Sequence, residues 1–177
     1  MRKFLSVNLR YVRGITFCVL AGLLSYLFVS CQHEGTGSDV RLIAEQYFST
    51  YAARTDWEKF LSYYAETLEF EDIILQESYH SLASFREFYN WPDSGFVKHP
   101  DYPKVLVIDE LIVHGKTAIG KGRLNPFYWY GRLFEMKDIG NFIIWLEFND
   151  QGKIIKQTDW IEYPGDILES VGKRMQE

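Results

Sequence analysis

The alternation of apolar and polar residues is clearest between Gly140 and Pro164, near the C-terminus. Two runs rich in β-branched and aromatic residues flank a polar segment that ends in Gly152, which is the pattern of two strands joined by a turn. The first run is apolar on both of its faces, with Phe142, Ile144, Leu146 and Phe148 alternating with Ile143 and Trp145. Such a run predicts a central strand that is covered on both sides, or one that lies between a core and an apolar cavity.

Apolar residues at helical spacing predict three helices in the first half of the chain. These helices cover residues 39–54, 55–64 and 82–91, with Ser38 or Asp39, Thr55 and Ser81 as N-caps. Strands are predicted at residues 67–75, 104–114 and 117–127, and a closing helix at residues 164–173. The aromatic segment 127–130 continues the preceding strand or enters a loop, and it is a candidate dimer face, lid or stacking platform.

This order of elements predicts the fold class α+β. We expect a cone-like, strongly curved antiparallel or mixed β-sheet wrapped over three N-terminal helices. The open end of such a cone is a natural ligand site.

The first 30 residues differ in pattern from the rest of the chain. Four basic residues and no acidic residue lie in the first 13 positions, and an apolar run follows them and ends at Ser30. This order is typical of a secretory signal. The Ser30-Cys31 junction resembles a bacterial lipobox, which implies lipidation of Cys31. The polar, Gly-rich composition of the following residues predicts a flexible tether at residues 31–38, and the domain covers residues 39–177. The resemblance implies a lipid anchor in the cell envelope, at the outer membrane or cell surface; the alternative is a short transmembrane anchor.

Charge and cysteine content narrow the classes of function. Without residues 1–30 the chain has a net charge of −9, which argues against nucleic-acid binding because phosphate contacts need a basic face. The two cysteines are Cys18 and Cys31, so the domain itself has no thiol nucleophile or disulfide. Scattered histidines, and the lack of a phosphate loop or dinucleotide fingerprint, predict neither a metal site nor a cofactor.

Asp159 is the most informative polar residue, because it interrupts a strand among aromatic residues. It is a candidate general base with a raised pKa, or a structural carboxylate that pairs with Arg123 or accepts a hydrogen bond from a tyrosine. Aromatic residues make up 17% of the chain and are candidate pocket walls or core. The candidate ligand-binding residues are Arg123, Asn125, Trp145, Trp160, Tyr47, Tyr51, Trp57 and Asp72.

The C-terminal segment resembles the nuclear transport factor 2-like superfamily, in particular its SnoaL-like branch. The matching residues are Gly152-Lys153-Ile154 followed by Asp159-Trp160-Ile161-Glu162. The resemblance implies the cone fold and homodimerisation through the outer face of the sheet. In the related limonene-epoxide hydrolases the position of Asp159 holds a general base. Arg123 matches that family, whereas Asn125 replaces its acid and cannot donate and recover a proton.

Three functions follow as hypotheses. The first is a membrane-anchored lipoprotein that binds a small hydrophobic molecule in the cone. The second is a cofactor-free hydrolase, isomerase or cyclase of the SnoaL-like kind that uses Asp159 as its general base. The third is a cell-surface interaction module that uses residues 127–130.

Overall fold

The computed structural model describes residues 35–136, 140–165 and 167–169, with side chains from residue 39 onward. The predicted signal peptide, Cys31 and residues 32–34 of the predicted tether lie outside the described residues. Residues 35–38, which were predicted as tether, form the first turn of the first helix instead.

Between residues 35 and 161, the described part of the chain contains three helices and nine strands. Their bounds are α1 Gly35–Ala53, α2 Trp57–Leu61, β1 Tyr64–Asp72, β2 Glu77–Tyr79, α3 Leu82–Tyr89, β3 Phe96–Lys98, β4 Leu106–His114, β5 Thr117–Leu124, β6 Phe127–Trp129, β7 Arg132–Phe134, β8 Asn141–Phe148 and β9 Ile154–Ile161. Residues 165 and 167–169 are helical, and the rest of the predicted closing helix lies outside the described residues.

Six strands form the main sheet in the order β2-β1-β9-β8-β5-β4. Strands β1 and β9 are parallel, and the other neighbours are antiparallel. Register shifts interrupt three of these pairings, and such bulges bend the strands and increase their twist. The predicted α+β fold with a curved mixed sheet is therefore confirmed. A second, three-stranded sheet in the order β3-β6-β7, which we call the small sheet, was not predicted.

The three helices pack on one face of the main sheet, which we call the concave face. Inward residues of β8 and β9 form one core with Tyr47 and Phe48 of α1, Phe60 of α2 and Phe85 of α3. Gly120 of β5 allows the close approach of α1, because a Cβ atom there would lie 2.3 Å from the Phe48 ring. The convex face is the opposite side of the same sheet.

Several local boundaries differ from the prediction. Asp56, and not Thr55, caps α2 by accepting a hydrogen bond from the Lys59 amide, whereas Ser81 caps α3 as expected. Strand β1 begins at Tyr64 because α2 ends early, at Leu61.

Candidate functional site

A cavity of about 650 Å³ lies between the helices, the ends of β5 and β9, and the small sheet. This size lies within the usual range for small-molecule sites. The wall residues are mostly apolar or aromatic: Tyr51, Arg54, Leu75, Phe88, Tyr89, Phe96, Val105, Leu124, Phe127, Trp129, Tyr130, Arg132, Phe134, Ile161, Tyr163 and Ile167.

The small sheet supplies the aromatic side of this cavity. Strand β6 pairs with β3 and β7, and the Phe127 ring stacks between those of Phe96 and Phe134 at centroid distances of 5.3 and 5.4 Å. The Tyr130 amide donates to the Gly95 carbonyl at 2.7 Å, which holds the turn after β6 in place. The aromatic segment 127–130 thus contributes Phe127, Trp129 and Tyr130 to the cavity wall.

Asp159 lies on the concave face and is fully buried beside this cavity. Its Oδ2 accepts a hydrogen bond from the Tyr89 hydroxyl at 2.6 Å, and its Oδ1 accepts one from Gln157 Nε2 at 2.8 Å. Of these partners, Tyr89 lines the cavity. Among the described residues, Tyr89 is therefore the one that connects the Asp159 carboxyl to the cavity, through its hydroxyl.

Burial raises the pKa of Asp159 to about 7, because a carboxylate loses its hydration there. The hydrogen bond from Tyr89 opposes this rise, and the nearby Asp72 reinforces it. Asp159 is accordingly divided between its protonated and ionised forms near neutral pH. The prediction of a raised pKa agrees with this geometry, whereas its catalytic role stays a prediction.

Gln157 joins Asp159 to a group of buried tyrosines. Its Oε1 accepts hydrogen bonds from Tyr47 at 3.0 Å and from Tyr64 at 2.6 Å, while its Nε2 donates to Tyr89 at 3.0 Å. Tyr51 also donates to Tyr89, at 3.3 Å. Burial raises the pKa of each of these tyrosines, so all four hydroxyls stay protonated at neutral pH.

Asp72 forms a second buried carboxylate site on the neighbouring strand, opposite Asp159 in the β1–β9 register. Its Oδ1 accepts hydrogen bonds from the amides of Ile74 and Leu75 at 3.0 and 2.9 Å, and its Oδ2 accepts one from the Tyr163 hydroxyl. Burial raises the pKa of Asp72, and these hydrogen bonds oppose the rise. Each carboxylate is thus capped by a tyrosine that lines the cavity.

Arg54 lies in the cavity wall, although the sequence pattern did not predict it as a site residue. It follows the end of α1 with φ of 46°, and its guanidinium carbon lies 3.8 Å from the centroid of the Phe96 ring. Its Nε–H is buried and has no hydrogen-bond acceptor among the described residues. In the sequence, Arg54 is a single basic residue at the end of an amphipathic helix. That pattern is the same for an arginine in a cavity wall and for one exposed to solvent at a helix end.

The predicted aromatic wall residues are divided among three environments. Tyr51 lines the cavity as predicted. Tyr47 is fully buried in the hydrogen-bonded group around Gln157, and Trp57 stacks on Phe60 at 5.8 Å within the helical side of the core. Trp145 and Trp160 lie on the convex face and are each 37% exposed, so the prediction that they line the cone is corrected. Alternation along β8 and β9 directs them away from the helices.

Arg123 and Asn125 also lie apart from the cavity wall. Arg123 is exposed and makes two hydrogen bonds to Asp109, at 2.7 and 2.9 Å, so the predicted pair with Asp159 is wrong. Alternation directs the side chain of Arg123 to the convex face, whereas Asp159 lies on the concave face. The side chain of Asn125 donates to the Lys104 carbonyl at 2.7 Å and connects two loops.

No group of three metal-ligating side chains converges within the part of the chain that the structure describes. The prediction of no metal site stays a prediction. Of the helices with described positions, none is long and apolar enough to span a membrane.

Comparisons with known proteins support the fold. No protein-family model and no curated protein matches the chain. A candidate SnoaL-like polyketide cyclase from Shewanella putrefaciens matches with a TM-score of 0.55 at 14% identity, over 70% of this chain and 90% of that one. An NTF2-like protein from Anabaena variabilis matches with a TM-score of 0.55 at 13% identity, over 76% and 95% of the two chains.

A candidate ketosteroid isomerase from Kribbella flavida matches with a TM-score of 0.52 at 20% identity, over 72% of this chain and 81% of that one. At such identities the likeness shows the fold and leaves the activity open. The chain has the nuclear transport factor 2-like fold, as the sequence resemblance implied.

Proposed function

We propose that this chain, with its nuclear transport factor 2-like fold, is a binding protein for a small hydrophobic molecule held at the open end of the cone. The observation that supports this proposal is the cavity of about 650 Å³, whose wall is mostly apolar and aromatic. The tyrosines at residues 51, 89 and 163 add a few polar contacts. A largely apolar wall with few polar groups is the usual composition of a small-molecule site.

A saturable change of tryptophan fluorescence would detect such binding, because Trp129 lies in the wall. The full chain, reconstituted in lipid nanodiscs with empty nanodiscs as the blank, is titrated with decan-1-ol. We expect Val105→Phe to weaken binding by roughly tenfold, since the added ring occupies the cavity. Ile112→Phe is the matched control, because Ile112 is exposed and lies outside the cavity wall. Equal binding by both variants, or no saturable binding at all, contradicts the proposal.

A second candidate function is a cofactor-free isomerase or cyclase. Its supporting observation is the buried pair of Asp159 and Tyr89, in which a carboxyl with a pKa of about 7 bonds to a hydroxyl in the cavity wall. A carboxyl with this pKa can exchange protons at neutral pH. However, Asp159 has no direct contact with the cavity, so the proton would have to pass through the Tyr89 hydroxyl.

Isomerisation of a β,γ-unsaturated ketosteroid, followed by ultraviolet absorbance, tests this second candidate. Turnover that Asp159→Asn abolishes and that Val105→Phe slows would support it. The absence of turnover by the wild-type chain in the presence of saturating steroid would leave binding as the proposed function.

We also propose that lipid on Cys31 anchors the protein in the cell envelope. The support is the sequence pattern of residues 1–31, which lies outside the described residues. Globomycin should block processing of the wild-type chain, and a Cys31→Ala variant should lose both processing and lipid. Globomycin-insensitive processing would contradict lipidation.

A further inference from the structure

We propose that the molecule in the cavity is an apolar carboxylic acid and that Arg54 binds its carboxylate. This inference rests on the proposed binding function and specifies the chemical class of its ligand.

The backbone and the neighbouring rings fix Arg54 at the cavity wall. The Arg54 amide donates to the Thr50 carbonyl at 3.0 Å, one residue beyond the end of α1, and φ there is 46°. The left-handed backbone conformation is uncommon for a residue other than glycine. The guanidinium carbon then lies 3.8 Å from the centroid of Phe96 and 5.3 Å from that of Trp91.

Among the described residues, none accepts a hydrogen bond from this guanidinium, although the Asp93 carboxylate is close enough to raise its pKa. The structure gives it no ion pair and no side-chain hydrogen bond to a described residue, and its Nε–H is buried. Burial lowers the pKa of Arg54, yet an arginine remains protonated at any physiological pH. A buried charged donor without an acceptor is costly, so a site of this kind favours an occupant that supplies one.

The aromatic contacts do not replace that acceptor. A ring attracts the cation through its π face, whereas the N–H donors of a guanidinium lie in its plane and need oxygen acceptors. The nearby Asp93 carboxylate raises the pKa of Arg54 but makes no hydrogen bond to it, and accepts hydrogen bonds from the Gly95 amide and the Tyr130 hydroxyl instead. A carboxylate on the ligand fits best, since its two oxygens match the fork of the guanidinium.

The remainder of the wall indicates the body of this acid. The rings of Phe96, Phe127 and Phe134 form a continuous stack along one side of the cavity. Arg132 also lines the cavity, with its guanidinium carbon 5.4 Å from the centroid of the Phe134 ring. An unbranched or aromatic apolar body with one anionic end matches this combination of rings and the Arg54 guanidinium.

Three ligands with the same ten-carbon chain test the assignment: decanoate, decan-1-ol and decyltrimethylammonium. Each is titrated into the full chain in lipid nanodiscs, with tryptophan fluorescence as the readout and empty nanodiscs as the blank. The wild-type chain should bind decanoate roughly ten- to a hundredfold more tightly than decan-1-ol, because hydrogen bonds to a charged group are worth that much. Decyltrimethylammonium should bind most weakly.

Variants isolate the contribution of Arg54. Arg54→Met keeps the length of the side chain and removes its charge, so the preference for acid over alcohol should fall to about onefold. Arg54→Lys keeps the charge without the planar fork and should give an intermediate preference. Arg123→Met is the matched control, because Arg123 is exposed and bonds to Asp109, and it should keep the wild-type preference. Comparing the acid-to-alcohol ratio between variants cancels the partition of each ligand into lipid.

The outcomes separate the inference from the function on which it rests. Binding of all three ligands with the same affinity ratio in wild type and Arg54→Met overturns the carboxylate assignment and leaves hydrophobic binding intact. Absence of binding by acid and alcohol alike overturns the proposed function itself. If Arg54→Met does not fold, the wild-type ranking and the Arg54→Lys variant decide, and a wild-type chain that prefers the cation overturns the assignment.

Discussion

The two faces of the main sheet carry similar apolar side chains but have different surroundings. On the concave face of β8, Ile144 and Leu146 are at most 1% exposed. On the convex face of the same strand, Ile143 and Trp145 are 41% and 37% exposed. Because the two sets alternate along one strand, composition does not determine which set is buried. Burial is determined by the helices, which pack on one face alone among the described residues.

Polar residues sharpen this contrast. The concave face buries Asp72, Gln157 and Asp159, whereas large apolar side chains are exposed on the convex face. Buried polar groups are tolerated when they are hydrogen-bonded, and the tyrosines around Gln157 provide these bonds. The distribution of polarity therefore identifies the concave face as the face with the site, and the convex face as a surface suited to another chain.

Truncating neighbouring residues on the two faces should give the largest difference. We expect Leu146→Ala to lower the free energy of unfolding by about 2–5 kcal/mol, because it removes a fully buried side chain and leaves a cavity. Trp145→Ala removes a larger side chain but should cost roughly 1 kcal/mol or less, because that side chain is partly exposed. Urea denaturation of both variants measures the difference. Equal losses would mean that both faces of β8 are covered in the folded protein.

Much of this architecture follows from local sequence signals. The alternation in residues 140–164 predicted the β8–β9 hairpin, and Ser81 predicted the start of α3. Asp159 was predicted among aromatic residues, because a carboxylate within an apolar strand must be either buried and bonded or at an edge. These predictions depend on residues close together in the chain.

The rest depends on contacts between distant segments. The register of β8 against its neighbours determines whether Trp145 faces the helices or the convex side. Because β8 is apolar on both faces, its own sequence does not predict which face the helices cover. The wall position of Arg54 depends on Phe96, which follows 42 residues later, and on the small sheet that holds it. The partner of Asp159 is Tyr89 rather than Arg123 for the same reason.

The pH dependence of stability should distinguish the buried carboxyl of the concave face from ordinary surface carboxyls. The pKa of Asp159 rises from 3.8 to about 7 on folding, so the folded state binds a proton more tightly than the unfolded state between these values. Its contribution to stability is then full below about pH 4 and is lost as the pH rises to about 7. The loss should be on the order of a few kcal/mol, with one pKa unit equal to about 1.4 kcal/mol.

Asp159→Asn should remove this dependence, because the amide does not titrate. The free energy of unfolding of the variant minus that of wild type should rise between pH 4 and 7 and stay constant above that range. Surface groups titrate alike in both chains and cancel in the difference. A flat difference, or a carboxyl carbon signal of Asp159 that titrates near pH 4 by NMR, would show that this carboxyl is hydrated.

The convex face should affect association more than folding. Ile143 lies opposite Trp160, and Trp145 lies opposite the half-buried Ile119, so exposed and half-buried apolar side chains form one patch across β5, β8 and β9. We predict a homodimer through this patch, and Trp145→Lys should shift sedimentation equilibrium toward monomer while changing the unfolding free energy of the monomer by roughly 1 kcal/mol or less. Val97→Lys is the matched control, since Val97 is also exposed but lies in the small sheet. If both variants dissociate equally, the charge itself and not the convex face is responsible, and if the wild type is monomeric at all concentrations, the patch serves a different partner.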